Sequence, residues 1–158
     1  MRLYHGSNTI VKQIDLRKSH PNKDFGKAFY LSAELEQAQD MADFKAVTLG
    51  GSAVVNVFEI DDDVFHGSDL RVLTFKGYTE EWARFVLRNR DLLNGEEQHD
   101  FDIVYGPIAD DRVGRQIIRF KDGDIDFATF LEKLKFMKGI TFQYAFCSGK
   151  AISKLKPL

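Results

Sequence analysis

Cysteine is almost absent from this chain: of 158 residues, only Cys147 carries a thiol. An internal disulfide is therefore excluded, and no Cys/His spacing suggests a structural metal. The fold must be held by packing, and a reducing compartment suits it. Long apolar runs are missing too, since no stretch approaches the ~20 apolar residues that cross a bilayer. Met1-Arg2-Leu3-Tyr4-His5-Gly6 lacks the apolar centre of a signal peptide. The expectation is a cytoplasmic protein with no membrane partner. Neither sign of charge dominates: 22 Lys and Arg face 24 Asp and Glu, for a formal net charge of −2. A broad basic footprint for nucleic acid is thereby excluded from the totals, although a local patch is not. Repeats, low-complexity tracts and linkers are also lacking. One domain, residues 1–158, is expected.

Aromatic residues are plentiful, at 13% with 14 Phe, and would suit a small mixed sheet packed by rings. Residues 2–5 read as a strand broken by Gly6-Ser7-Asn8, and 8–24 as a polar loop or insertion. Phe25-Gly26-Lys27-Ala28-Phe29-Tyr30-Leu31-Ser32 reads as a small-residue turn, a short strand at 29–31 and a helix cap. Ser32 is the expected N-cap of a helix reaching Ala46, with Glu34 and Glu36 in its first turn. Gly50-Gly51-Ser52 is a turn, and Ala53 to Ile60 is β-rich. Asp61-Asp62-Asp63 reads as a solvated turn, because three adjacent carboxylates diverge too much to share a metal.

Leu70 to Phe75 is a further strand, and Thr79 caps a second helix whose buried stripe is Trp82, Phe85 and Val86. Phe101 to Tyr105 is a strand stopped by Gly106-Pro107. Asp110 and Asp111 stand where another helix can begin. Residues 126–137 repeat apolar side chains at helical spacing. Residues 140–147 alternate strictly, with Phe142, Tyr144 and Phe146 on one face, read as the core face. Thr141, Gln143 and Ala145 take the other, which sends Gln143 toward solvent or a cleft. Ser148 to Leu155 is read as a short closing helix. Helices and strands mix without regular alternation, so the fold class is α+β.

Three separated segments carry a further signal: Tyr4-His5-Gly6-Ser7, the Phe25 to Ser32 stretch, and Thr141-Phe142-Gln143-Tyr144-Ala145-Phe146-Cys147. Together they resemble the ADP-ribosyltransferase superfamily, in its diphtheria-toxin and poly(ADP-ribose) polymerase branch. That branch carries a His, a Tyr and an acidic residue on three strands. Gln143 stands where the acid is usual. With the tract Asp102-Ile103-Val104-Tyr105-Gly106-Pro107-Ile108-Ala109-Asp110-Asp111, the whole chain is similar to an uncharacterised bacterial family of that superfamily.

The resemblance implies a split mixed β-sheet with flanking helices, NAD as substrate, and no metal. It implies that His5 hydrogen-bonds the adenosine-side ribose. The Gly6 backbone, helped by Ser7, would bind the nicotinamide carboxamide. Tyr30 would stack on the nicotinamide ring, and Gln143 would bind the nicotinamide ribose. The implied activity is mono-ADP-ribosylation of a macromolecule, protein before RNA, by a bacterial toxin or effector. An antitoxin or immunity partner is a reasonable companion. An amide accepts a hydrogen bond but supplies no full charge to an oxocarbenium-like ribose. Chain elongation is therefore not expected, while single transfer, NAD hydrolysis and NAD binding without turnover all fit. Asp110 and Asp111, or more weakly Glu59, are candidates to replace the missing carboxylate. A cap followed by a first-turn charge explains the two aspartates equally well.

Taken singly, each of these residues has a structural reading: a satisfied histidine at a strand end, a core tyrosine, an exposed strand glutamine. His20, His66 and His99 are read as surface residues, and Cys147 as buried rather than nucleophilic. Arg88 and Arg90 could meet a pyrophosphate but read first as solvated helix charges. Lys133, Lys135, Lys138, Lys150, Lys154 and Lys156 could favour an anionic target, although a solvated face is the simpler reading.

Overall fold

The computed structural model describes residues 1–91 and 99–158. Among them the chain forms seven strands and five α-helices. The strands are β1 (Arg2–Ser7), β2 (Phe29–Leu31), β3 (Val54–Glu59), β4 (Val72–Thr74), β5 (Ile103–Pro107), β6 (Phe142–Phe146) and β7 (Lys156–Pro157). The helices are α1 (Leu35–Leu49), α2 (Glu80–Arg90), α3 (Asp111–Lys121), α4 (Phe127–Lys135) and α5 (Gly149–Ile152). Short 3-10 turns at Leu16–Lys18 and Asp62–Phe65 are capped by Asp15 and Asp61. The α+β class is therefore observed.

The strands divide into two sheets, ordered β1-β3-β7 and β2-β6-β5-β4. All pairings are antiparallel except β4 with β5. Among the described residues a single bridge joins the sheets: Tyr4 and Ser32 exchange both backbone hydrogen bonds at 2.8 Å. Beyond that bridge β1 and β2 separate, and the opening between them becomes the cleft described below.

Two apolar clusters pack the sheets. One gathers Phe25, Trp82, Phe85, Val104, Val113, Phe130 and Ala145 beneath α2, α3 and α4. The other gathers Leu3, Phe58, Ile60, Ile103 and Phe146 between the sheets. Ala145 and Phe146 are both fully buried, so β6 has a core on each face. The expectation that only the Phe142, Tyr144 and Phe146 face is core is corrected accordingly. The strand's alternation is strict, but its small residue, Ala145, is small because a crowded aromatic layer sits above it.

Other expectations shift. Ser32 is held in the bridge to Tyr4, and its hydroxyl takes the Glu34 N–H at 2.9 Å. Helix α1 therefore starts later, at Leu35, and runs on to Leu49. The closing helix is only α5, after which β7 pairs with β3. Asp61 caps a 3-10 turn, and Asp62 pairs with the N-terminal ammonium at 2.9 Å. No helix among the described residues is long and apolar enough to cross a membrane.

Candidate functional site

Local chemistry shapes the cleft from both sides. On β1, Tyr4 turns its N–H and C=O toward Ser32. Alternation along an antiparallel strand gives Gly6 the same direction, so its N–H also faces away from β3 and into the opening. Glycine is required there: a Cβ on Gly6 would lie 2.1 Å from the Ala38 carbonyl oxygen and 2.7 Å from the Ala42 nitrogen. Removing that carbon lets β1 lie directly against α1. The inner side of α1 then presents Ala38, Ala42 and, one turn on, Lys45, whose Nζ donates to the Gly6 carbonyl at 2.7 Å.

His5 Nδ1 donates to the Tyr30 carbonyl at 2.7 Å, because a carbonyl can only accept. Its ring stacks on Phe29 with centroids 4.3 Å apart. Burial, the largest effect, pushes His5 down to about 4; the Tyr30 carbonyl opposes this, and the Lys45 and Lys23 ammoniums add to it. His5 is thus neutral near pH 7 with the tautomer fixed, and its Nε2 lone pair is left as an acceptor.

Tyr30 is anchored differently. Its hydroxyl donates to the Gly26 carbonyl at 2.6 Å and accepts the Phe25 N–H at 3.3 Å. Burial, with the nearby Cys147 and Asp24, raises its pKa far above the ordinary phenol value. The phenol is no proton donor at neutral pH, and what it offers the cleft is its ring. Gly26 makes the turn that allows this, with φ at 80°. The Lys23 ammonium sits 5.1 Å from the ring centroid.

Tyr30 pairs with Ala145, and Gln143 lies two residues from Ala145 on the same side of β6. Gln143 therefore reaches the same cleft. The cleft measures about 1210 Å³, and His5, Gly6, Ser7, Tyr30 and Gln143 all line it. Small-molecule sites usually span ~300–1,000 Å³, so there is room for an extended ligand. Ser7 is buried, and its Oγ takes the Thr9 N–H at 3.3 Å. The segment Thr9 to Ser19 forms much of one wall. Asn56 holds that wall, accepting from Val11 N–H at 2.7 Å and donating to the Thr9 carbonyl at 3.1 Å.

Asp110 and Asp111 are not among the lining residues. Asp110 caps α3, accepting the Arg112 and Val113 N–H groups at 2.9 and 3.1 Å, and pairs with the Arg112 side chain at 2.6 Å. Burial opposes ionisation, but Arg112 and the α3 amides hold the carboxyl below its ordinary range. Glu59 ends β3 on an exposed position and does not line the cleft either. Among the described residues the lining carboxylates are Asp15 and Asp24, and both are engaged. Asp15 binds Arg17 at 2.9 Å. Asp24 binds Arg90 at 2.6 Å and takes the Ala109 N–H at 2.9 Å.

Other sequence readings resolve here. His99 is not a free surface residue. Its Nδ1 takes the Phe101 N–H at 3.2 Å, so Nε2 carries the proton and donates to the Phe25 carbonyl at 2.9 Å. Arg90 is tied to Asp24, and Arg88 lies over the Phe85 ring at 5.8 Å. Burial, then Asp102, pushes the Cys147 thiol up to about 12. No cluster of metal-ligating side chains occurs among the described residues. Sequence reasoning missed Asn56, Lys23 and Lys45. Lys45 had a signal: it repeats in phase with Ala38 and Ala42, on a stripe where a lysine is out of place.

Comparison with protein-family models decides the grouping. The chain belongs to the DUF3990 family, a protein family of unknown function. The DUF3990 model matches residues 1–156 and so includes every residue lining the cleft. Neither curated proteins nor solved structures yield a match. Membership in DUF3990 assigns no activity, and the functional reading rests on the cleft.

Proposed function

We propose that the cleft between β1 and β2 binds NAD, and that the protein transfers ADP-ribose from it to a macromolecule on an ADP-ribosyltransferase-like split-sheet fold. The observation that carries this reading is convergence. His5, the Gly6 N–H, Tyr30 and Gln143 come from three strands far apart in the chain, yet all line one cleft. Breaking the nicotinamide–ribose bond leaves a cation-like ribose and expels neutral nicotinamide, so no strong acid is needed. Binding must hold the dinucleotide bent and leave the anomeric carbon open to a nucleophile. The neutral His5 Nε2 accepts a ribose hydroxyl. The Gly6 N–H meets the carboxamide oxygen, and the anchored Tyr30 ring stacks on the nicotinamide. The Gln143 amide accepts from the second ribose.

One observation favours a second reading, NAD binding without turnover. Both described carboxylates of the cleft are held in ion pairs, so a developing positive ribose meets no free negative side chain among the described residues. The two readings separate in one experiment. The protein is incubated with NAD labelled in its adenosine half and a cell lysate, and free nicotinamide is measured. Transfer predicts released nicotinamide and a labelled macromolecule, both reduced about tenfold or more in His5→Ala, Tyr30→Ala and Gln143→Ala. Tight NAD binding without release supports the second reading. Folded protein that neither binds nor consumes NAD overturns both. Label on RNA instead of protein would change the acceptor class.

A further inference from the structure

We infer that Lys23 and Lys45 form an anion subsite that receives a diphosphate, one ammonium from the polar wall and one from α1. The diphosphate as part of NAD rests on the reading of the cleft given above; the anion site itself does not. Both lysines line the cleft. Lys45 is half-buried on the inner side of α1, and its ammonium donates to one neutral acceptor, the Gly6 carbonyl. Lys23 stands at the rim with its ammonium over the Tyr30 ring. Neither forms an ion pair with a described carboxylate. Asp24 is close enough to favour the Lys23 charge, but its oxygens already hold Arg90 and the Ala109 N–H.

Three lysines elsewhere are neutralised by carboxylates. Lys150 and Lys154 share Asp69 at 2.8 and 2.9 Å, and Lys135 holds Glu132 at 3.1 Å. The cleft pair is set apart because both ammoniums lose water inside the cleft without an ion pair to a described carboxylate. Partial burial lowers the pKa of both, and for Lys45 the Lys23 charge adds to that effect. Cations that lose water and repel each other are stabilised by an anion placed between them. His5 cannot be that partner, since it is neutral or positive and feels both ammoniums.

The position of Lys23 couples the two ends of a ligand. An aromatic ring stacking on the Tyr30 face that Lys23 covers displaces the ammonium, and a diphosphate gives the displaced charge a stronger partner than a π-face. Ring and phosphate binding then favour each other.

The test titrates folded wild type, Lys23→Met, Lys45→Met, Lys45→Arg and the remote control Lys135→Met with NAD and, separately, with inorganic pyrophosphate. Each titration is run at low and high salt. Both methionine variants should weaken both ligands about tenfold and flatten the salt dependence. Lys45→Arg should bind more tightly than Lys45→Met, and Lys135→Met should match wild type. NAD bound equally well by wild type and the methionine variants overturns the subsite and leaves the NAD reading standing. Lysine-dependent pyrophosphate binding without NAD binding keeps the subsite and removes NAD. No binding of either removes both. Should Lys45→Met fail to fold, Lys23→Met decides, because its side chain lies at the rim.

Discussion

Gly6 meets the tightest steric limit in the cleft wall. A methyl group 2.1 Å from a helix carbonyl cannot be absorbed by a rotamer change, because the obstacle is backbone. Gly6→Ala should therefore destabilise the protein by about 2 kcal/mol or more, read from urea unfolding. His5 gives a second prediction. Its folded pKa, about 4, lies below its ordinary 6.5, so the folded state prefers the neutral ring. The associated stability is fully present above pH 6.5 and is lost as pH falls from 6.5 toward 4, up to about 3 kcal/mol. The half-buried His99 shifts in the same direction, so the informative quantity is the difference between wild type and His5→Asn. That variant should lose less stability over the window; an identical loss would contradict the account. His5, Gly6, Ser7, Tyr30 and Gln143 were singled out by their order and local contexts, and all five line the cleft. Lys23 and Asn56 were not, because their importance comes from partners distant in the chain.

At the scale of elements, Asp24 ties three segments together: the turn before β2, the end of α2 through Arg90, and the β5–α3 connection through the Ala109 N–H. Asp24→Asn keeps the shape and removes the charge. It should cost about 2 kcal/mol, and a double-mutant cycle with Arg90→Met should return a coupling of about 1–3 kcal/mol. Asp110→Ala should cost about 1 kcal/mol through the lost α3 cap and leave NAD binding unchanged. A loss of binding would restore Asp110 to the cleft chemistry. Most elements were legible, since apolar periodicity and cap residues mark α2, α4, β3 and β6. Two of the misses share one cause. Ser32 looks like a cap but is captured by Tyr4 across the sheets, and β7 is a two-residue strand containing Pro157 that exists only because β3 offers an edge. Tertiary pairing decided both.

At the scale of the whole molecule, the described residues form two sheets joined at one bridge, with an opening where they part. The opening is lined by Lys12, Lys18, Lys23, Lys45 and Arg90 against Asp15 and Asp24. A chain with net charge −2 thus concentrates positive charge at its cleft, a distribution that sequence totals average away. Anions should be drawn to the cleft, and more weakly as salt screens it. The central claim is that this opening holds NAD between β1 and β2. It is tested most directly by following backbone amide resonances of the isotopically labelled protein during NAD titration. The account predicts that the Gly6 amide shifts most strongly, together with amides of His5, Tyr30 and Gln143, and that all four saturate with one dissociation constant. Saturating shifts confined to α3 and α4, or no shifts at millimolar NAD, would contradict it.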